Sequence, residues 1–195
     1  MKNTHSLVPV FAAAALGLLA THSEGAVTFT IFETGSSLVV DATGSINLGS
    51  ATPVTTVTFQ TIQSSAPDAI VSAGDETVQA DLYAITVGGP AAYGVGGATS
   101  DPTISTGTPV MLNLVVDRLV VPAGYVSNAS LSATTTYSNL TLQNLGATPG
   151  SYVWTISADG GTTTDTVTLN VIPEPSSALL AGLGGLALLR RRRRA

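Results

Sequence analysis

Cysteine is absent from all 195 residues, and the only two histidines, His5 and His22, fall within the first 25. Residues 26–172 hold no lysine and one basic side chain, Arg118. Each absence removes a class of chemistry. Without cysteine there is no disulfide, so a domain of this size has to rely on its core and its hydrogen-bond ladders. Without histidine or cysteine in the body, Ser-His-Asp and Cys-His catalysis are excluded, as are zinc and copper sites built on those ligands. Without lysine there is no Schiff-base chemistry. What survives is carboxylate chemistry, meaning a glycosidase-like acid pair or a calcium site. A glycosidase normally adds aromatic platforms for sugar rings, and the body offers one tryptophan, Trp154, and a few tyrosines.

The missing positive charge also bears on partners. The body carries ten acids, Glu33, Asp41, Asp68, Asp75, Glu76, Asp81, Asp101, Asp117, Asp159 and Asp165. Set against Arg118 they give a net charge of −9, whereas the whole chain stands at −5. An acidic body without a basic patch argues against nucleic acid and against anionic lipid surfaces.

The positive charge is collected at the C-terminus. Pro173-Glu174-Pro175 is followed by an apolar run, Ser176 to Leu189, and then by Arg190, Arg191, Arg192, Arg193 and Arg194. The fourteen uncharged residues of the run would rise about 21 Å as a helix, against a bilayer core of about 30 Å. Snorkelling arginines and local thinning can make up the difference. The arginine block is costly to translocate and stays on the cytoplasmic side, with the upstream body exported. The two prolines stop a helix from running back into the body and leave an extended strip for a processing enzyme. A plain membrane anchor and a short buried helix are the competing readings, and a buried helix has no partner for its terminal arginines.

At the other end, Lys2 precedes an apolar run from Leu7 to Ala20, then small and polar residues from Thr21 to Ala26. Charge, length and order describe a secretory signal peptide over residues 1–25, cut after Gly25. A retained N-terminal anchor is the alternative.

The tail closely resembles the PEP-CTERM sorting signal of surface and extracellular proteins of Gram-negative bacteria, over Ile172 to Ala195. The resemblance implies recognition by an exosortase, a membrane-embedded cysteine protease or transpeptidase. It implies cleavage near Pro173, Glu174 and Pro175 and loss of the apolar run and arginines, much as GPI-anchored proteins lose their tails. A second resemblance covers Val121 to Val171. The segments Val121-Pro-Ala-Gly-Tyr125, Ser130-Leu-Ser-Ala133, Leu145-Gly-Ala-Thr-Pro-Gly-Ser-Tyr-Val-Trp154 and Asp165-Thr-Val-Thr-Leu-Asn-Val171 are similar to a block found in short PEP-CTERM proteins. Ala147 stands where that group has leucine, and Ile156 where it often has an aromatic. Neither departure touches an active group, and the resemblance brings no catalytic residues.

The body, residues 26–171, reads as one all-β domain of β-sandwich type. Threonine, serine, valine and glycine favour strands and turns. Val27-Thr-Phe-Thr-Ile31 alternates with period two. Ser37 to Ala42 and Ser45 to Leu48 read as a hairpin broken at Gly44. Val54 to Ile62 alternates, with Val57 and Phe59 on one face. Thr77 to Val87 reads as one strand, Gly88 to Pro109 as an irregular loop, and Val110 to Val121 as a central apolar piece. Pro149-Gly150 launches a strand over Ser151 to Ala158, Asp159-Gly160-Gly161 reverses the chain, and Thr164 to Ile172 returns as its partner. Tyr152, Trp154 and Ile156 share a face, which makes Trp154 a packing residue ahead of a sugar platform.

No metal site or cofactor is assigned. Asp159 and Asp165 flank a Gly-Thr-rich loop, but their spacing is not that of an EF-hand and a solvated hairpin turn explains them better. Thr134 to Thr136 and Thr162 to Thr164 raise O-glycosylation or an ice-binding array, yet no fixed repeat places threonines regularly. The expectation is a secreted, non-enzymatic surface or extracellular-matrix protein. Its partners would be the secretion machinery, an exosortase, the inner membrane transiently through residues 176–189 and, by the resemblance, exopolysaccharide. A carbohydrate-binding or calcium-dependent adhesion module is the alternative.

Overall fold

The computed structural model describes residues 25–59, 66–97 and 101–173. Residues 1–24 and 174–195, which include most of the signal peptide and sorting tail, lie outside the described residues.

The described residues form twelve strands and one short helix. In order they are β1 (Ala26–Thr34), β2 (Ser37–Ser45), β3 (Thr55–Thr58), β4 (Ile70–Ala73), β5 (Gln79–Ala84) and β6 (Thr86–Gly88). Then come β7 (Ile104–Gly107), β8 (Val110–Asn113), β9 (Arg118–Pro122), β10 (Leu131–Ser138), α1 (Leu142–Leu145), β11 (Gly150–Ser157) and β12 (Asp165–Ile172). A seven-stranded sheet has the order β6-β11-β12-β1-β2-β10-β7, and a five-stranded sheet the order β3-β5-β9-β8-β4. The domain is all-β, as the alternating pattern predicts. Its two sheets share one core.

Period-two alternation assigns the faces. In β1, Val27, Phe29 and Ile31 point inward and are buried, and Val167, Leu169 and Val171 of β12 do the same. They meet Val71, Val110, Leu112, Leu119 and Val121 of the smaller sheet in a single cluster that also holds Trp154 and Tyr93. Each large side chain fully buried there contributes about 1.5–3 kcal/mol by transfer from water. The five-stranded sheet is covered on its other face too. Phe59, Ile70, Ala80, Met111 and Val120 form a second, smaller cluster. This is why all four residues of β8 are buried, and why Val110 to Val121 is so apolar.

Four expectations are corrected. The hairpin near residue 44 is formed by β1 and β2 around Gly35, and β2 runs straight through Gly44. A Cβ on Gly44 would lie 2.0 Å from the Ala26 carbonyl oxygen, so this glycine permits close strand approach and does not break the strand. Thr77 to Val87 is two strands, β5 in the small sheet and β6 in the large one. The break falls at Ile85, whose N–H donates to the Asp117 carbonyl at 3.1 Å. Val110 to Val121 is also two strands, β8 and β9, paired antiparallel around the turn at residues 114–117. The expected loop from Gly88 to Pro109 contains an edge strand, β7, on β10.

The β11–β12 hairpin stands within a residue of its expected bounds. What periodicity does not give is its neighbour. β12 pairs in parallel with β1, from Ala26 opposite Thr166 to Phe32 opposite Ile172. The first and last strands of the domain therefore lie side by side in the middle of the large sheet.

Candidate functional site

β12 ends at Ile172, and Pro173 follows directly as the last described residue. Proline has no N–H to donate and so ends the ladder. The motif is joined to the body without a linker. Of the sequence-derived site residues, only Pro173 is among the described residues, and it is exposed. Glu174, Pro175 and Arg190 to Arg194 lie outside them.

Pro173 sits on the rim of a surface pocket of about 570 Å³, also lined by Glu33, Thr141, Leu142, Gln143 and Pro149. The pocket wall is built by α1. Thr141 caps it, its side chain accepting from the Asn144 N–H at 3.0 Å. The Glu33 carboxylate reaches over from β1 and accepts the Leu142 N–H. Gly146 closes the helix in the left-handed conformation at φ 71°. A Cβ there would fall 1.4 Å from the Gly96 carbonyl oxygen, so the glycine-rich loop packs backbone against backbone onto the helix end.

Three further acids, Asp165, Asp159 and Asp81, hold loops. Asp165 is 3 % exposed, and its carboxylate accepts N–H groups from Asn47 at 2.6 Å and Thr166 at 2.8 Å. Asp159 accepts from Thr163 N–H at 2.8 Å and Ser157 Oγ at 3.0 Å. The Thr163 backbone bond, then the Thr163 hydroxyl, hold its pKa down to about 2, with Ser157 and the Ser50 N–H adding to the effect. The two acids thus clamp the segment after β2 to the β11–β12 hairpin. Asp81 accepts from Thr56 Oγ1 at 2.5 Å and Gly124 N–H at 2.8 Å. Among the described residues, no three of His, Cys, Asp and Glu gather as a metal site would require.

Trp154 is 1 % exposed and donates its indole N–H to the Pro90 carbonyl at 2.7 Å. Tyr152 stacks on it at 6.4 Å between ring centroids, and Tyr93 meets Tyr152 edge-on at 6.1 Å. The indole is a packing residue and closed to a sugar ring.

One surface was not legible in the linear sequence. On the outer face of the large sheet, Thr168, Thr28, Thr43 and Ser132 stand side by side across β12, β1, β2 and β10. The next row reads Ser151, Asn170, Thr30, Asp41, Thr134 and Thr106 across six strands. Within it Thr134 Oγ1 donates to Asp41 at 2.7 Å. The rows are about 4.8 Å apart between strands and about 6.8 Å apart along them. The result is a nearly uncharged field made mostly of hydroxyl groups, with the exposed Val153 of β11 beside Thr168 in the first row.

Residues 171–194 match the family described as the PEP-CTERM protein-sorting motif. The chain carries that motif, which marks it as an exported protein that an exosortase processes. No curated protein matches the chain, and no solved structure does.

Proposed function

We propose that this chain is a secreted, non-enzymatic surface or extracellular-matrix protein associated with exopolysaccharide or biofilm. A signal peptide over residues 1–25 exports it. Residues 176–189 hold it in the inner membrane as an intermediate, and an exosortase releases the folded body, residues 26–171, at the cell surface. The observation that carries this reading is the direct join of the sorting motif to a central strand. A complete β domain ends where the address begins, so cleavage at Pro173-Glu174-Pro175 frees it whole. Two features support the non-enzymatic part. Glu33, Asp81, Asp159 and Asp165 are spent on backbone N–H groups of loops. The outer face of the large sheet carries rows of threonine and serine hydroxyls, suited to many weak hydrogen bonds with a hydrated polysaccharide.

Mass spectrometry of the exported protein tests the sorting step. The expected C-terminus lies near the Pro-Glu-Pro motif, and an intact Arg190 to Arg194 block on the secreted product would overturn it. A glycan array with and without calcium, read on the released body, separates the matrix reading from an adhesion module. Tight, calcium-dependent binding of one glycan would favour the adhesin.

A further inference from the structure

β1 and β12 start side by side. Ala26 opposes Thr166 in their parallel pair, and one step earlier Gly25 meets Asp165. Both residues are buried, on the side of the strands where Val27 and Val167 point into the core. A Cβ on Gly25 would lie 2.4 Å from Asp165 Oδ2, 2.8 Å from the Asn47 nitrogen and 2.9 Å from the Ser45 carbonyl oxygen. The carboxylate thus occupies the room that a side chain at position 25 would need. Its Oδ2 accepts the Asn47 N–H and its Oδ1 the Thr166 N–H, so it is held in place from two sides.

We propose that this corner is the seat of the mature N-terminus, where the α-ammonium of Ala26, freed by a cut after Gly25, forms an ion pair with Asp165. The inference rests on the signal-peptide reading above. The cut removes Gly25 and vacates the space beside Oδ2, and the freed nitrogen borders that space directly. Asp165 is 3 % exposed, so little water screens its attraction for a charge placed there. The carboxylate is already oriented, and a charge-assisted bond to it is stronger than one between neutral groups. The Ser45 carbonyl, opposite Ala26 on β2, is a second acceptor for the ammonium hydrogens.

In the uncut precursor the same nitrogen is a neutral amide, and the pair cannot form. Export processing therefore adds an interaction that the precursor lacks. The body is less stable before the cut, when it has to remain unfolded for translocation, and more stable after it. The order of events agrees. β1 lies between β12 and β2, so the bond after Gly25 is enclosed once the sheet has formed. The cut comes first, and the ammonium reaches Asp165 as β1 joins the sheet.

Residues 26–195 hold no lysine, so the α-amine is the only primary amine of the exported protein and an amine-selective reagent reads it alone. N-terminal sequencing of the exported protein reads the cut separately. The expected first residue is Ala26, and a start elsewhere would overturn both the assigned cut and this inference. With Ala26 first, the folded protein should be labelled severalfold more slowly than the same protein in urea. Asp165→Asn should restore fast labelling while Trp154 emission still reports a folded core. Asp159→Asn, at the other acid of the same clamp, should not. Acetylating the amine before refolding should lower the urea midpoint of the parent and leave that of Asp165→Asn unchanged, because the pair is already lost there. Labelling as fast in the folded parent as in urea, or an equal midpoint loss on acetylation in parent and variant, would overturn the ion pair and leave the cut standing. Labelling and acetylation of the parent need no variant, so both readouts hold even where Asp165→Asn does not fold.

Discussion

The carboxylate of Asp165 accepts the backbone N–H of Asn47 at 2.6 Å across 118 positions of sequence. The bond joins the loop after β2 to the start of β12, the strand that carries the sorting motif. A buried carboxylate is stable there because backbone dipoles replace water, and Thr166 N–H supplies a second one. Asp165→Ala leaves the Asn47 and Thr166 donors without this acceptor, at a cost of about 1–3 kcal/mol. Urea denaturation should show a lowered midpoint with an unchanged slope.

Asp159 gives the fold a specific acid limit. Its folded pKa of about 2 lies below the ordinary value of 3.8. A depressed carboxylate contributes stability that is present above the unfolded pKa and is lost as pH falls through the folded one. The loss therefore falls between about pH 4 and pH 2. Carboxyl NMR should show Asp159 titrating well below the ordinary carboxylate value of 3.8. Asp159→Asn should remove this part of the acid sensitivity and leave stability at pH 7 lower than in the parent.

Trp154 is the only tryptophan, so it reports on the core without interference. Its burial predicts blue-shifted emission that resists acrylamide until the protein unfolds. Trp154→Ala should cost about 3–5 kcal/mol. Trp154→Phe should cost less, and part of its loss is the bond to the Pro90 carbonyl. A loss of glycan binding with no loss of stability would contradict the packing role.

Gly146→Ala tests the loop–helix contact. A left-handed alanine costs about 1–2 kcal/mol before the collision with the Gly96 carbonyl is counted. Hydrogen exchange should show faster opening of Val95 N–H, which donates to the Gly146 carbonyl at 3.1 Å. Gly35→Ala, where no atom lies within 4 Å of the added carbon, should pay only the conformational cost.

Much of the body could be read from local pattern. β1 and the β11–β12 hairpin announce themselves by strict alternation bounded by turn residues, and Trp154 by sharing a face with Ile156. The misreadings share one cause. An apolar run does not say where it breaks, and Thr77 to Val87 and Val110 to Val121 each break where a strand pairing ends. Gly44 looked like punctuation because the approach of the Ala26 carbonyl is not visible along the chain. The loop-holding roles of Asp159 and Asp165 depend on Ser50 and Asn47, more than a hundred positions away.

The sequence by itself determined the chemistry that is impossible here, the strand-rich character, and the sorting motif, because composition and a contiguous motif need no partner. The tertiary structure decided the surfaces. Threonines at 28, 43 and 168 have no common period, yet they stand in one row. Side-chain alternation is a property of a single strand, whereas lateral register is set by which strands pair and where. The same register placed Ile172, the last residue of β12, beside Phe32 on the outer face of the large sheet.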